Sequence, residues 1–155
     1  MSRESRATVL VQRRFDAPPG RVFDAWVDPM KVQKWIAAPS LDDVEVRVDL
    51  KARVGRPFRI IVRREGEEIS HSGEYLELVR ARRLVFTWVV PVVSKETTLV
   101  TIDLSPVPSL WGGTDLALRH ERVLPTETGR TEARWQSILD AIATIVQPER
   151  TSSRG

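Results

Sequence analysis

The side chains most suited to acid–base chemistry in this sequence are its two histidines, His71 and His120. His120 alternates with Leu116 and Leu118 along a β-type segment, so the three side chains point to one face of a strand. If that face is internal, the imidazole borders an apolar space, where it could hydrogen-bond a ligand or act as a general base. We favour a structural histidine whose ring is hydrogen-bonded within the fold.

His71 lies in a second strand-like segment, and it shares one face with Tyr75 if no bulge intervenes. Such a pair could polarise a carbonyl group, but we interpret His71 as a surface residue. Asp42 and Asp43 are adjacent, so in a strand they would point to opposite faces and could not act as a catalytic pair. The sequence has no glycine-rich phosphate loop and no nucleophile elbow. We therefore predict no catalytic residue, and an enzymatic activity is the less favoured alternative.

Composition limits the classes of protein and of binding site that the sequence can form. The 155 residues fit one domain, predicted to span residues 7–147 between disordered ends at 1–6 and 148–155. There is no cysteine, which excludes disulfides and thiolate ligands, and two histidines offer little for a metal site. We therefore predict neither a metal nor a cofactor. No apolar run is long enough to span a membrane, and the N-terminus lacks the apolar core of a signal peptide, so a cytoplasmic protein is expected.

The formal net charge of +3 raises the question of nucleic-acid binding. Basic residues are concentrated between Lys51 and Arg64 and again between Arg80 and Arg83. Neither cluster carries aromatic residues that look exposed, and neither has a helix-turn-helix pattern, which a nucleic-acid surface would need. We interpret both clusters as solvated sheet edges and turns and expect no nucleic-acid partner.

The hydrophobic pattern predicts the elements that would position these side chains. Residues 7–15 form a strand, and two short helices follow, separated at Asp28-Pro29, where Asp28 can cap the second helix. Period-two alternation then predicts about six strands up to residue 123, with a hairpin at Gly66 and a bulge or close approach at Gly73. A long final helix carries one apolar stripe, formed by Trp135, Ile138, Leu139, Ile142, Ile145 and Val146.

This order, β-α-α-β-β-β-β-β-β-α, indicates an α+β fold with an antiparallel sheet whose strands are joined by short connections. The sheet has one face to bury, and the final helix is the long element with a matching stripe. A curved sheet wrapped around one helix leaves space between them, and we expect that space to be an apolar cavity.

A series of short segments, in this order, resembles the family of homologues of the activator of heat-shock-protein-90 ATPase, within the START-like (SRPBCC) superfamily. They are RFDAP at 14–18, VFDAW at 22–26, Asp28-Pro29, Trp35 with Ala38-Pro39, Asp49 with Arg53-Val54-Gly55, SGEYLE at 72–77, RLVFTW at 83–88, TDLALRH at 114–120 and Trp135 with Leu139. The resemblance covers most of the chain, from about residue 9 to 146. It implies the helix-grip fold, a hydrophobic cavity and a bacterial origin. Arg56 and Arg134 stand where the family usually has glycine.

We predict that the protein binds a small lipid-like or aromatic molecule in its cavity. A cyclase- or hydrolase-like enzyme using His120 and a chaperone-regulating protein are the alternatives, and a homodimer through a strand edge is possible. Trp35, at a helix end, could also gate the cavity, and Trp111 lies in a loop where it could be exposed. The predicted cavity-lining residues are Trp35, Phe58, Ile60, Tyr75, Phe86, Trp88, Leu118, His120, Trp135 and Leu139.

Overall fold

The structure is a computed structural model that describes residues 5–38, 44–108 and 112–147. The predictions about Asp42, Asp43, Trp111 and the segments 1–4 and 148–155 fall outside these residues, and the domain limits stay a prediction. The elements are β1 (Ala7–Phe15), α1 (Pro19–Val27), α2 (Pro29–Trp35), β2 (Val44–Asp49), β3 (Pro57–Arg64), β4 (Glu67–Val79), β5 (Arg83–Val90), β6 (Ser94–Val107), β7 (Gly113–Val123) and α3 (Thr128–Val146).

One curved antiparallel sheet contains all seven strands, in the order β1-β7-β6-β5-β4-β3-β2. Strands β2 to β7 follow one another along the chain, whereas β1 pairs with β7, with Val11 opposite Leu118. Strands β1 and β2 therefore form the two edges. This arrangement confirms the predicted α+β helix-grip architecture and its element order. None of the helices in the described residues is long and apolar enough to cross a membrane.

The two short helices meet at Asp28, as the sequence predicts. The Asp28 carboxylate accepts a hydrogen bond from the Met30 N–H, 3.0 Å away, at the start of α2. Its own N–H donates to the Asp24 carbonyl, 2.9 Å away, at the end of α1. Pro29 occupies the first position of α2, where a helix has no need of the N–H. One residue thus closes one helix and caps the next.

The final helix, α3, covers part of the concave face of the sheet. It packs against β1 and against both short helices. The Arg13 guanidinium of β1 donates to the Asp140 carboxylate of α3 on the outer side of this contact. The predicted apolar stripe is confirmed, except that Ile145 is only half-buried; the buried members are Trp135, Ile138, Leu139, Ile142 and Val146.

Strand β4 departs from regular alternation at two points. At Gly73 the neighbouring strand comes very close, because a Cβ there would lie 1.9 Å from the Thr87 carbonyl oxygen. At Leu76 one extra residue is inserted opposite β5, between the pairs Tyr75–Phe86 and Glu77–Val85. The bulge leaves Leu76 exposed and turns Leu78 towards the core. The close approach expected at Gly73 is therefore confirmed, and the bulge lies three residues beyond it.

We expect Gly73→Ala to destabilise the fold by at least about 2 kcal/mol, because the new methyl group meets a backbone carbonyl that no side-chain rotation can move. Gly129→Ala is the matched control. It lies in α3 with open space around it, so alanine should be neutral or stabilise the helix by up to about 1 kcal/mol. Urea unfolding of both variants followed by tryptophan fluorescence measures the difference. Equal stabilities for the two variants would contradict the close approach.

Candidate ligand pocket

A pocket of about 320 Å³ opens between the first three turns of α3 and the sheet. Its walls are mainly apolar and are provided by Val62 of β3, Ile69 of β4, Trp88 and Val90 of β5, and Ile138 of α3. The tip of the β5–β6 hairpin borders it as well, and that tip carries the exposed side chains Val92 and Val93. The pocket therefore lies at one end of the concave face, where α3 begins.

The structure divides the ten predicted lining residues into three groups. Trp88, His120 and Trp135 line the pocket. Leu118 and Leu139 line neither this pocket nor the smaller cavity described next, and they are 1% and 0% exposed in the core. The remaining five line a second space of only about 20 Å³; they are Trp35, Phe58, Ile60, Tyr75 and Phe86.

The smaller space lies inside an aromatic cluster that fills the middle of the sheet. The Phe58 ring packs against Tyr75, Phe86 and Trp88, with ring centroids 5.1, 5.8 and 6.1 Å apart. These rings face one another edge-on or tilted, which is the favourable arrangement for aromatic pairs. Because they occupy the volume between them, the open part of the concave face is displaced towards the start of α3.

Trp35 is buried in the same region and does not gate the pocket. Its indole N–H donates to the Ala25 carbonyl at 2.8 Å, and its ring meets Trp26 edge-on with centroids 5.1 Å apart. Both rings are 3% exposed. Trp26 is thus a core residue, and Trp35 ties α2 to α1 instead of facing solvent.

His120 is the centre of a hydrogen-bond chain that joins α3 to the sheet. The Trp135 indole N–H donates to His120 Nδ1 at 2.9 Å, so Nδ1 carries no proton. In the neutral ring Nε2–H then donates to the Thr98 hydroxyl at 2.7 Å. That hydroxyl donates in turn to the Trp88 carbonyl at 2.6 Å. Both ring nitrogens are therefore occupied within the fold.

This chain fixes what His120 can do chemically. The side chain is 6% exposed, and burial lowers its pKa from the ordinary 6.5 to about 4. A neutral ring whose only acceptor nitrogen already accepts from Trp135 has no lone pair with which to remove a substrate proton. The described residues also contain no cluster of three or more His, Asp or Glu side chains that could hold a metal ion. The geometry thus favours the structural interpretation of His120.

The interpretation of His71 as a surface residue is wrong. Its side chain is 5% exposed because the inward face of β4 carries His71 and Tyr75. The His71 ring packs against Trp88 with centroids 5.4 Å apart, and Nδ1 lies 3.3 Å from the Ile60 carbonyl. Burial lowers its pKa to about 4. Burial also raises the pKa of Tyr75. The two residues do not share a space, because Tyr75 faces the smaller space and His71 borders the pocket.

Arg134 borders the pocket beside Trp135, at a position where the resemblance implied glycine and where no functional role was predicted. Its guanidinium donates to the carbonyls of Ile36 and Ala38, just beyond the end of α2. Arg64 of β3 donates to the Ala37 carbonyl between them, at 3.0 Å. Burial and the nearby charge of Arg64 lower the pKa of Arg134. Its place one residue before the inward Trp135 was the signal in the sequence that could have identified it.

The rim of the pocket near β7 is shaped by a bulge. Val9 pairs with His120 and Ala7 with Val123, so β7 carries one more residue than β1 in this interval. Arg122, inside the bulge, has a backbone φ of 69°, which is unusual for a residue other than glycine. The extra residue returns Val123 to the inward face and leaves Arg122 at the pocket rim.

The two buried histidines predict that stability falls in mild acid. Both have a pKa of about 4 when folded and near 6.5 when unfolded, so the unfolded chain takes up protons first as the pH falls. The stability due to each neutral ring is complete above pH 6.5 and is lost progressively between about pH 6.5 and pH 4, on the order of 3 kcal/mol per histidine.

Urea unfolding of the wild type and of His71→Phe across this pH range measures that loss. Phenylalanine keeps a ring against Trp88 and removes the titrating group, so the unfolding free energy of the variant should depend less steeply on pH. An identical pH dependence for the two proteins would show that the folded chain accommodates a charged His71 without cost.

Comparison with known proteins places these features in a family. A sequence model of the family described as Activator of Hsp90 ATPase homolog 1-like protein matches residues 16–147. A solved structure from Chromobacterium violaceum is 27% identical, with a TM-score of 0.79 over 92% of this chain and 98% of that one. One from Mesorhizobium loti is 21% identical, with a TM-score of 0.72 over 95% of this chain and 100% of that one, and it supports the fold alone.

No curated protein matches the sequence. The family match nevertheless extends from the residue after β1 to the residue after α3, and so it includes the pocket, the aromatic cluster and the hydrogen-bond chain. The chain therefore belongs to the family of Activator of Hsp90 ATPase homolog 1-like proteins.

Proposed function

We propose that this protein binds a small, mostly apolar molecule, lipid-like or aromatic, in the pocket at the start of α3. The observation that carries the proposal is the pocket itself, about 320 Å³ with walls formed by Val62, Ile69, Trp88 and Ile138. Ligand pockets in proteins typically measure roughly 300–1,000 Å³ and are lined by apolar and aromatic side chains with few polar groups. This pocket lies at the small end of that range.

The aromatic side chains of the pocket wall are already held in place before a ligand binds. Trp88 and Trp135 pack against each other with centroids 5.6 Å apart, and the chain through His120 and Thr98 holds both in place. A ligand would meet rings whose orientation is already fixed, so little side-chain freedom is lost on binding. Displacement of water from an apolar wall of this kind favours hydrophobic ligands.

The two alternatives from the sequence have less support. A cyclase- or hydrolase-like reaction would need His120 as a free base, and both of its nitrogens are engaged. A chaperone-regulating role rests on the family description alone, and no contact or charge of the described residues favours it. A homodimer stays a prediction, with the open edges of β1 and β2 as its possible surfaces.

We expect Thr131→Trp to weaken binding of the neutral fluorescent probe N-phenyl-1-naphthylamine, because Thr131 lies in the pocket wall and an indole there fills the space. Thr144→Trp is the matched control, since it makes the same change on an exposed position of the same helix. Fluorescence titration should give saturable binding for the wild type and Thr144→Trp, with at least about a tenfold weaker affinity for Thr131→Trp.

Thermal unfolding of both variants separates a filled pocket from a damaged fold. The proposal fails if the wild type binds neither this probe nor its sulfonate analogue, 1-anilinonaphthalene-8-sulfonate. It also fails if the folded Thr131→Trp protein binds as tightly as Thr144→Trp, because the probe would then occupy another surface.

A further inference from the structure

The walls of the pocket are mainly apolar, but the charged side chains that line it are mostly positive. Its charged lining consists of four arginines, including Arg64 and Arg134, and two glutamates, Glu96 and Glu127, which gives 4 − 2 = +2. Glu96 is hydrogen-bonded to Arg6 at 2.7 Å, so part of the negative charge is already neutralised. The two histidines in the walls are uncharged at neutral pH.

Two of these arginines are brought together at one place. Arg64 of β3 and Arg134 of α3 are both half-buried, and they donate to the consecutive carbonyls of Ile36, Ala37 and Ala38. Carbonyls at the end of a helix lack intrahelical partners and carry partial negative charge, which explains why cations are held there. It does not explain why two full positive charges are placed side by side.

Arg134 has capacity left for a further acceptor. A guanidinium has five N–H donors, and Arg134 uses two of them on carbonyls. Within the described ranges no carboxylate lies within salt-bridge distance of it. Burial and the positive charge of Arg64 both disfavour the charged form of Arg134. The charge of Arg134 in turn disfavours protonation of His71. An anion bound beside it would form charge-assisted hydrogen bonds and relieve that repulsion.

We infer that the ligand is an amphipathic anion. Its apolar body lies against Trp88, Trp135 and Ile138, and its acidic head, such as a carboxylate or a sulfonate, is held by Arg134 with Arg64 beside it. The inference rests on the proposed function and narrows it, because a neutral hydrocarbon or an amine would offer no acceptor charge to the N–H donors that Arg134 has left. Two oxygens of a carboxylate or a sulfonate can accept from the two parallel N–H donors of an arginine.

Two probes with the same ring system test this inference. N-phenyl-1-naphthylamine is neutral, and 1-anilinonaphthalene-8-sulfonate adds one sulfonate group. We expect the wild type to bind the sulfonate about tenfold more tightly than the neutral probe. In Arg134→Gln the ratio of the two affinities should fall to about one; the ratio is the readout because Arg134 is part of the pocket wall and its loss also changes the affinity for the neutral probe. Arg134→Lys keeps the positive charge and should retain most of the preference. It keeps the test usable if the glutamine variant does not fold.

Arg119→Gln removes the same charge from the outer face of β7 and should leave both affinities unchanged. The inference is overturned if the wild type binds the two probes equally, or if Arg134→Gln and Arg119→Gln weaken the sulfonate probe to the same extent. Absence of binding of both probes would instead overturn the proposed function, and this inference with it.

Discussion

The structure depends on a burial problem that one helix cannot solve alone. The seven strands present a long concave face, whereas α3 has 19 residues and is therefore about 28 Å long. The helix covers the side of the face near β1, where Leu139 and Ile142 are completely buried. Farther across, aromatic side chains fill the gap between the strands. Neither solution reaches the region where α3 begins, and the pocket is what remains.

The first turns of α3 must therefore be held over an open space. The Trp135 ring is buried there against Trp26 and Trp88. The hydrogen-bond chain from the Trp135 indole through His120 and Thr98 to the Trp88 carbonyl adds a directional connection to the sheet. Every donor in this hydrogen-bond chain has an acceptor, so none of the buried polar atoms that form it is left without a partner. A polar network thus keeps an apolar pocket open.

Local patterns predicted most of the fold, and volume decided what they could not. The stripe on α3, the cap at Asp28 and the close approach at Gly73 each follow from a few neighbouring residues, and each was predicted correctly. The identity of the inward face of β4 depends on its partner strands, and the sequence interpretation placed His71 on the wrong side. The position of the pocket depends on how much space Phe58 and its neighbours occupy together, which spacing along the chain does not encode. The Arg64–Arg134 pair joins residues 70 positions apart and is visible only in three dimensions.

The pairing of β1 with β7 also governs when the fold can be completed. Val9 lies opposite His120, so partners that are neighbours in the sheet are 111 positions apart in the sequence. During synthesis β1 leaves the ribosome before the other six strands but has no partner until β7 follows, and α3, which packs on β1, comes later still. Contacts so distant in sequence slow folding, because a long loop must close before any of them forms. The meander from β2 to β6 can assemble earlier from local hairpins. The pocket, whose walls include α3, is therefore one of the last parts of this fold to form.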